Sequence, residues 1–139
     1  MLAASFIIMY AVMFLNVAEL NHIYLSLTRA YMALLMVSSM AVLMLLMMPA
    51  MYKNKKLNRI IFVSGIAVFV GAFILLRFQV PINDEQYMKA MIPHHSSAIM
   101  VSKNANLKDP ELIELSKEII NSQEKEISKM KAILQRIGK

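Results

Sequence analysis

Three long apolar runs constrain the fold of this chain more than any other feature of its sequence. They extend from residue 2 to about 18, from 30 to 51 and from 60 to about 76. Each run is close to the roughly 20 residues that a helix needs to cross the hydrocarbon core of a bilayer. We therefore predict three transmembrane helices, at about residues 2–19, 30–52 and 59–79, in a membrane domain that covers residues 1–80.

The composition of the chain agrees with a membrane location. Hydrophobic residues make up 58% of it and its mean hydropathy is +0.54, which is too apolar for a soluble domain of 139 residues. We therefore expect the chain to be surrounded by membrane lipid. The chain contains no cysteine, which excludes disulfides, thiolate zinc sites and thiol nucleophiles.

The charges are distributed unevenly along the chain. Residues 1–80 carry six Lys and Arg side chains against the single acid Glu19, whereas residues 81–139 carry nine against eight acids. Because the basic excess belongs to the membrane domain, it argues against nucleic-acid binding. Lys53, Lys55, Lys56 and Arg59 lie in the second loop, and the Lys/Arg bias of short loops predicts that this loop is cytoplasmic. The N-terminus is then expected inside and the chain after residue 77 outside.

Residues 81–139 are predicted to form a two-helix hairpin. Asn83 is a candidate N-cap for a helix to about residue 104, and Asp109 followed by Pro110 begins a second helix that ends near residue 137, before Gly138. A segment of about 59 residues is too small to bury two broad apolar helix faces. We therefore expect a homo-oligomer, a dimer or higher, in which two hairpins form a four-helix bundle.

The stretch YMKAMIPHHSSAIM, residues 87–100, is the only one with obvious site chemistry. At helical spacing Met88, Met91 and His95 share one stripe, and His94 lies beside it. Thioether sulfur and imidazole favour a soft metal such as copper or silver over magnesium or calcium. On the second helix, the apolar face includes a few polar or sulfur-bearing side chains, which antiparallel packing brings near this stripe: Gln123, Glu126 and Met130.

The hairpin resembles a known family in these motifs. DEQYMKAMIPHHSSAIM and DPELIELSKEIINSQEKEISKM are similar to the domain of unknown function 305 family, whose pattern is M-x-x-MIPHH-x-x-A-I followed by Q-x-x-E-I-x-x-M. The N-terminal MFLNVAELNHIYLSLTRAYMALLM resembles the membrane-spanning branch of that family. The resemblance implies a ferritin-like protein of the bacterial inner (plasma) membrane with a periplasmic or extracellular hairpin. Since some members bind copper, it also implies a metal role for Met88, Met91, His94, His95, Gln123, Glu126 and Met130.

Two further features leave alternatives open. Methionines recur at three- or four-residue steps along the second span, where they either fill packing gaps or form a metal-conducting stripe. Ionisable groups near the outer end of the first span are functional candidates, although Glu19 could instead pair with Arg29. The possible secondary membrane site that follows from both features consists of Glu19, His22, Met36, Met40 and Met44.

The sequence favours an envelope membrane protein that binds Cu(I) or silver for sequestration, tolerance or hand-off to a metal-handling partner protein. The alternative is a structural or interaction module in which the histidines, Gln123 and Glu126 form a buried polar network without metal. A redox enzyme is least supported, because ferritin-like oxidases use several carboxylates and this hairpin places only Glu126 at its centre. The sequence shows no Ser-His-Asp arrangement that would indicate hydrolysis. We therefore do not expect an enzyme.

Overall fold

The computed structural model describes residues 1–48 and 51–137, and all regular elements in this part of the chain are helices. No β-strand occurs among these residues, so the predicted all-α class is confirmed for them. In chain order the elements are α1 (Leu2–Val12), a short 3-10 helix (Leu20–His22), α2 (Leu27–Met47), α3 (Lys55–Phe78), α4 (Asp84–Asn104) and α5 (Pro110–Ile137).

The prediction of three transmembrane helices is wrong, because the first apolar run forms a helix of only 11 residues. At 1.5 Å per residue α1 extends about 16 Å, roughly half of a hydrocarbon core. The chain leaves the helix after Val12, and the Ala18 N–H and the Asn16 side chain then donate hydrogen bonds to serines of α4. Within the described residues two helices, α2 and α3, are long and apolar enough to cross a membrane.

Most of the buried side chains of the two long apolar helices are small: Ala33, Ser38, Ala41, Gly65 and Ala72. A Cβ atom at Gly65 of α3 would lie 3.0 Å from Cγ2 of Val42, which indicates a close approach between α2 and α3. The hydroxyl of Ser38 donates to the Leu34 carbonyl one turn earlier, so this polar group is satisfied inside an apolar helix. Near the start of α2, the Tyr31 hydroxyl donates a hydrogen bond to the carbonyl of Val80, just after the end of α3, at 2.8 Å.

The chain divides into two compact units. The first contains residues 1–13 and 28–81, and the second contains residues 14–27 together with the chain from 82 onward. The boundary between residues 81 and 82 lies close to the predicted domain boundary at residue 80. Residues 14–27, which we had assigned to the first transmembrane helix and the loop after it, instead belong with the hairpin. We call this stretch the docking segment.

The hairpin forms as the local sequence predicts. The Asn83 side chain accepts a hydrogen bond from the Gln86 N–H at the start of α4, and Asp109 accepts one from the Leu112 N–H at the start of α5. Ile92, Ile99 and Ile127 form the core between the two helices. The predicted end at Gly138 lies outside the described residues. Partly buried apolar side chains pack around this core: Tyr24 from the docking segment, Ile120, Met130 and Leu134.

Candidate functional site

The imidazole of His95 is held at both ring nitrogens. Nδ1 lies 2.9 Å from the Met91 carbonyl oxygen, one turn earlier in α4, and Nε2 lies 2.7 Å from Oε2 of Glu126 in α5. A carbonyl oxygen and a carboxylate only accept hydrogen bonds. Both nitrogens of His95 therefore face hydrogen-bond acceptors, and Nε2 pairs with Glu126 across the hairpin.

The carboxylate of Glu126 is fixed from two sides. Its second oxygen accepts a hydrogen bond from the Ser122 hydroxyl at 2.9 Å. This bond, and next the hydrogen bond from His95, lower the pKa of Glu126 below its usual value, so the group is ionised. Its side chain is 48% exposed, compared with 12% for His95. Glu126 thus lies at the edge of the hairpin core, whereas its position on the apolar face had predicted burial.

The other predicted ligands are distributed along the same two helices. Met88 is buried and Met130 packs against the isoleucine core, whereas His94 is exposed with its ring centroid 6.2 Å from that of His95. Gln123 and Met91 are half-buried. Throughout residues 1–48 and 51–137, no three His, Asp or Glu side chains are grouped so that they could hold a metal ion.

The residues of the possible secondary membrane site belong to different units. Glu19 and His22 lie in the docking segment, whereas Met36, Met40 and Met44 lie on α2 in the first unit. These three methionines line an apolar groove of about 610 Å³. Met51 lies in a turn after α2. The groove is also lined by Met9, Leu35, Ser39, Leu43, Met47, Met48 and Phe69.

Ser96 is the centre of a polar site that the sequence analysis missed. Its side chain is completely buried, and its hydroxyl oxygen accepts a hydrogen bond from the Ala18 N–H at 2.8 Å. The same oxygen lies 2.9 Å from Nδ1 of His22, which is also buried. In the neutral form of His22 with its hydrogen on Nε2, the hydroxyl donates to Nδ1 while it accepts from the Ala18 N–H.

The surroundings of His22 favour this neutral form. Burial is the largest cause that lowers the pKa of His22, and the nearby ammonium of Lys131 lowers it further. The Glu19 carboxylate, 3.7 Å from Nε2, acts in the opposite direction and does not outweigh them. His22 is therefore a neutral hydrogen-bonding side chain at neutral pH.

Further polar contacts fasten the docking segment along the hairpin. The Asn16 amide donates to the Ser97 hydroxyl, and the Leu27 N–H donates to Oε1 of Gln86, both at 2.9 Å. Lys131 of α5 donates to Oδ1 of Asn21, also at 2.9 Å. The signal for this docking was present in the sequence, because the segment places asparagines and a histidine inside an apolar stretch and the MIPHH motif continues with two serines.

Glu19, His22 and Ser96 follow the order of a catalytic triad, but their geometry does not support hydrolysis. Ser96 has no exposed surface and its oxygen is already engaged by the Ala18 N–H, so no substrate carbonyl can reach it. A cleft of about 180 Å³ lies beside His22, and Lys103 and Glu124 on its wall pair at 2.9 Å. Ser96 is not part of the cleft wall. The three residues therefore act as a structural network.

Comparison with known proteins gives one family and one relative. Residues 38–134 match the family model described as "Domain of unknown function (DUF305)". An uncharacterized protein of Acanthamoeba polyphaga mimivirus is 39% identical over 137 residues, which cover 96% of this chain and 88% of that protein. No solved structure matches. The family match begins within α2, so the docking segment lies before it.

Proposed function

This chain belongs to the family described as "Domain of unknown function (DUF305)", and we propose that its hairpin binds a soft metal ion, Cu(I) or Ag(I). In this proposal α2 and α3 anchor the protein in a membrane, and the bound metal is sequestered or handed to a metal-handling partner protein, which would confer metal tolerance. The orientation of His95 is the observation that supports metal binding most directly.

His95 is held in the way that metal-binding histidines are commonly held. Such a histidine donates its second ring N–H to a backbone carbonyl or a carboxylate, which fixes the ring and directs the other nitrogen at the metal. Here Nδ1 donates to the Met91 carbonyl and Nε2 points at Glu126. Loss of the proton that Nε2 shares with Glu126 would expose a lone pair, so a metal would compete with one proton for His95.

The remaining donors favour a soft ion. Met88, Met91 and Met130 offer thioether sulfur, which has no proton to lose and binds Cu(I) or Ag(I) in preference to hard cations. Zinc sites need cysteine, histidine or carboxylate ligands in larger numbers than the described residues group together. His94 and Gln123 would complete the ligand set that the family pattern implies.

The membrane placement follows from the number of crossings. If α2 and α3 both cross, an even number of spans leaves the docking segment and the hairpin on one side of the membrane. The basic loop at Lys53, Lys55, Lys56 and Arg59 then lies on the cytoplasmic side and the hairpin on the other, periplasmic or extracellular in a bacterial inner membrane. The predicted cytoplasmic N-terminus depended on a first span, and the 11 residues of α1 do not provide one.

The second candidate is a structural or interaction module without metal. One observation favours it: both nitrogens of His95 already face oxygen acceptors, so the buried polar group is satisfied as it stands. In either case two hairpins could associate into a four-helix bundle through apolar side chains that a single copy leaves exposed, such as Leu112 and Leu115.

Competitive titration of the full chain in detergent against a Cu(I) chelator distinguishes the two candidates. Met88→Leu with Met91→Leu nearly conserves volume, and we expect this pair to abolish Cu(I) binding below about pH 5, where imidazole is protonated. His94→Ala with His95→Ala should weaken binding mainly near neutral pH. If the methionine pair is dispensable at low pH, or if zinc outcompetes copper, the metal proposal fails and the metal-free module gains.

A further inference from the structure

The docking segment bonds to the hairpin through several polar groups and leaves three leucines exposed. Asn16, the Ala18 N–H and His22 are directed at the serines of α4. Three leucines of the same segment are instead among the most exposed apolar side chains of the chain: Leu15 at 80%, Leu20 at 83% and Leu25 at 68%. In water this arrangement would leave three large apolar side chains solvated.

The outer surface of the hairpin has the opposite character. Along α5 exposed acidic and basic side chains form ion pairs, such as Lys117 with Glu114 at 3.3 Å, as expected for a surface in water. The docking segment carries one charged side chain, Glu19, apart from the neutral His22. Such a low charge and apolar exterior are suited to contact with lipid rather than with water.

Chain connectivity keeps these leucines close to the bilayer. Leu25 precedes the first residue of α2 by two positions, and Leu15 follows the last residue of α1 by three. At no more than about 3.6 Å per residue, Leu25 and Leu15 lie within roughly 7 and 11 Å, respectively, of an apolar helix along the chain, and Leu20 lies between them in the segment. The polar headgroup layer of a bilayer is of comparable depth.

We propose that the docking segment lies in the interface of the membrane that α2 and α3 cross, with Leu15, Leu20 and Leu25 inserted among the lipid chains. The segment then has two partners, the hairpin through its polar groups and the lipid through its leucines. It would hold the hairpin at the membrane surface, so the metal-binding face would stay close to the bilayer. This inference rests on the proposed membrane anchoring and is independent of whether the hairpin binds metal.

The chain has no natural cysteine, so single-cysteine variants can report on each position in the full-length protein. Leu20→Cys and Leu25→Cys would be labelled with a fluorophore whose emission shifts to the blue in apolar surroundings. The labelled protein would be reconstituted in phosphatidylcholine and phosphatidylglycerol vesicles. Lys117→Cys on the exposed face of α5 is the control for water, and Ile66→Cys, within α3, is the control for the bilayer interior.

We expect the fluorophores at positions 20 and 25 to emit at shorter wavelengths than the fluorophore at position 117. A lipid spin-labelled near its headgroup should quench them more strongly than one labelled near the chain end, with the opposite order at Ile66. Unlabelled Leu20→Cys and Leu25→Cys should react about tenfold more slowly than Lys117→Cys with a charged thiol reagent, because apolar surroundings disfavour the thiolate by about one pKa unit.

Each other outcome overturns the inference in a recognisable way. Emission and reaction rates equal to those of Lys117→Cys would show that the leucines face water. Slow reaction without quenching by either lipid would show that protein, such as a second copy, covers them. If the lipid labelled near the chain end did not quench the fluorophore at Ile66, the proposal that α2 and α3 anchor the protein in the membrane would be wrong. Metal titration would then remain as the separate test of the hairpin.

Discussion

Nδ1 of His22 lies 2.9 Å from the hydroxyl oxygen of Ser96, although 74 positions separate the two residues in the chain. Both side chains are buried, and Ser96 directly follows His95, whose imidazole pairs with Glu126. Adjacent residues of α4 therefore serve two networks: Ser96 fastens the docking segment, and His95 joins the two hairpin helices. We therefore expect a substitution that disrupts one hydrogen-bond network to weaken the other.

The hydroxyl of Ser96 should contribute measurably to stability. Ser96→Ala removes the acceptor of the Ala18 N–H and the donor to His22, and leaving such groups unsatisfied costs about 1–3 kcal/mol. Ser97→Ala is a matched control on the next residue, because its bond to Asn16 is solvent-exposed and its loss should cost within about 0.5 kcal/mol. Denaturant unfolding of the full chain in detergent measures both. Equal costs for the two variants would show that the Ser96 network is not stabilising.

The docking segment should loosen on acidification. The pKa of His22 is lowered in the folded chain by burial and then by Lys131, so the unfolded segment binds a proton more readily than the folded one. The stability contributed by neutral His22 is therefore fully present above its unfolded pKa of about 6.5 and is lost as pH falls below it. Amide hydrogen exchange of residues 14–27, measured as a function of pH after correction for intrinsic rates, reports this loss.

His22→Gln is the control for this pH dependence, because glutamine can still accept from Ser96 but does not titrate between pH 5 and 7. Glu19, Lys131, Lys103 and Glu124 also line the cleft beside His22, and all four are retained in the variant. The corrected exchange rates of the variant should be nearly flat over this range. A variant that keeps the full pH dependence of the parent would assign it to one of these other groups.

Metal binding should release a proton from the pair between His95 and Glu126. A ligand at Nε2 must displace the hydrogen that this nitrogen donates to Glu126, so we expect about one proton released per Cu(I) near neutral pH. Titration calorimetry in buffers with different ionisation enthalpies measures the number of protons released per Cu(I) bound. Glu126→Gln removes the carboxylate that stabilises this hydrogen and should reduce the release toward zero.

Ser122→Ala provides the comparison for that experiment. It deletes the hydrogen bond that most strongly lowers the pKa of Glu126 but keeps the carboxylate opposite His95. Proton release in this variant should stay close to that of the parent. Unchanged release in Glu126→Gln would mean that the metal does not bind at Nε2 of His95.

The hairpin should lie on the side of the membrane opposite the basic loop. Lys and Arg near the ends of short loops set orientation. Lys53 lies between α2 and α3, and Lys55, Lys56 and Arg59 lie in the first two turns of α3. An alkaline phosphatase fused to the C-terminus of the chain should therefore be active in a bacterial host. A fluorescent protein that folds only in the cytoplasm should be dark at the same position. The reverse pattern would place the hairpin in the cytoplasm.

Self-association should depend on the exposed apolar side chains near the start of α5. Leu112 is 45% exposed and Leu115 is 48% exposed, and burial of such side chains between two copies would favour a dimer. Leu112→Glu with Leu115→Glu should shift the chain to monomer in light scattering without loss of helical content. Lys117→Glu, which changes charge on the same helix, is the control. A parent chain that is monomeric at micromolar concentration with a folded hairpin would contradict this prediction.

The sequence by itself determined the elements whose signals are local. Asn83 caps α4 through the N–H three residues later and Asp109 caps α5 in the same way, so both helix starts could be predicted from short stretches. Helical periodicity also placed His95 and Glu126 on facing sides of two antiparallel helices, and they do pair. Each of these relationships needs only helix geometry and one short connection.

Only the tertiary structure decided the fate of the first apolar run and the state of each histidine. Hydropathy gives the same score to residues 2–18 whether they continue as a helix or leave it, and the hydrogen bonds that draw Asn16, Ala18 and His22 to α4 join residues 74 to 81 positions apart. No local window contains both partners of such a bond. Likewise burial and the ammonium of Lys131 lower the pKa of His22, and the carboxylate of Glu126 faces Nε2 of His95, although Lys131 and Glu126 lie far from these histidines in the chain.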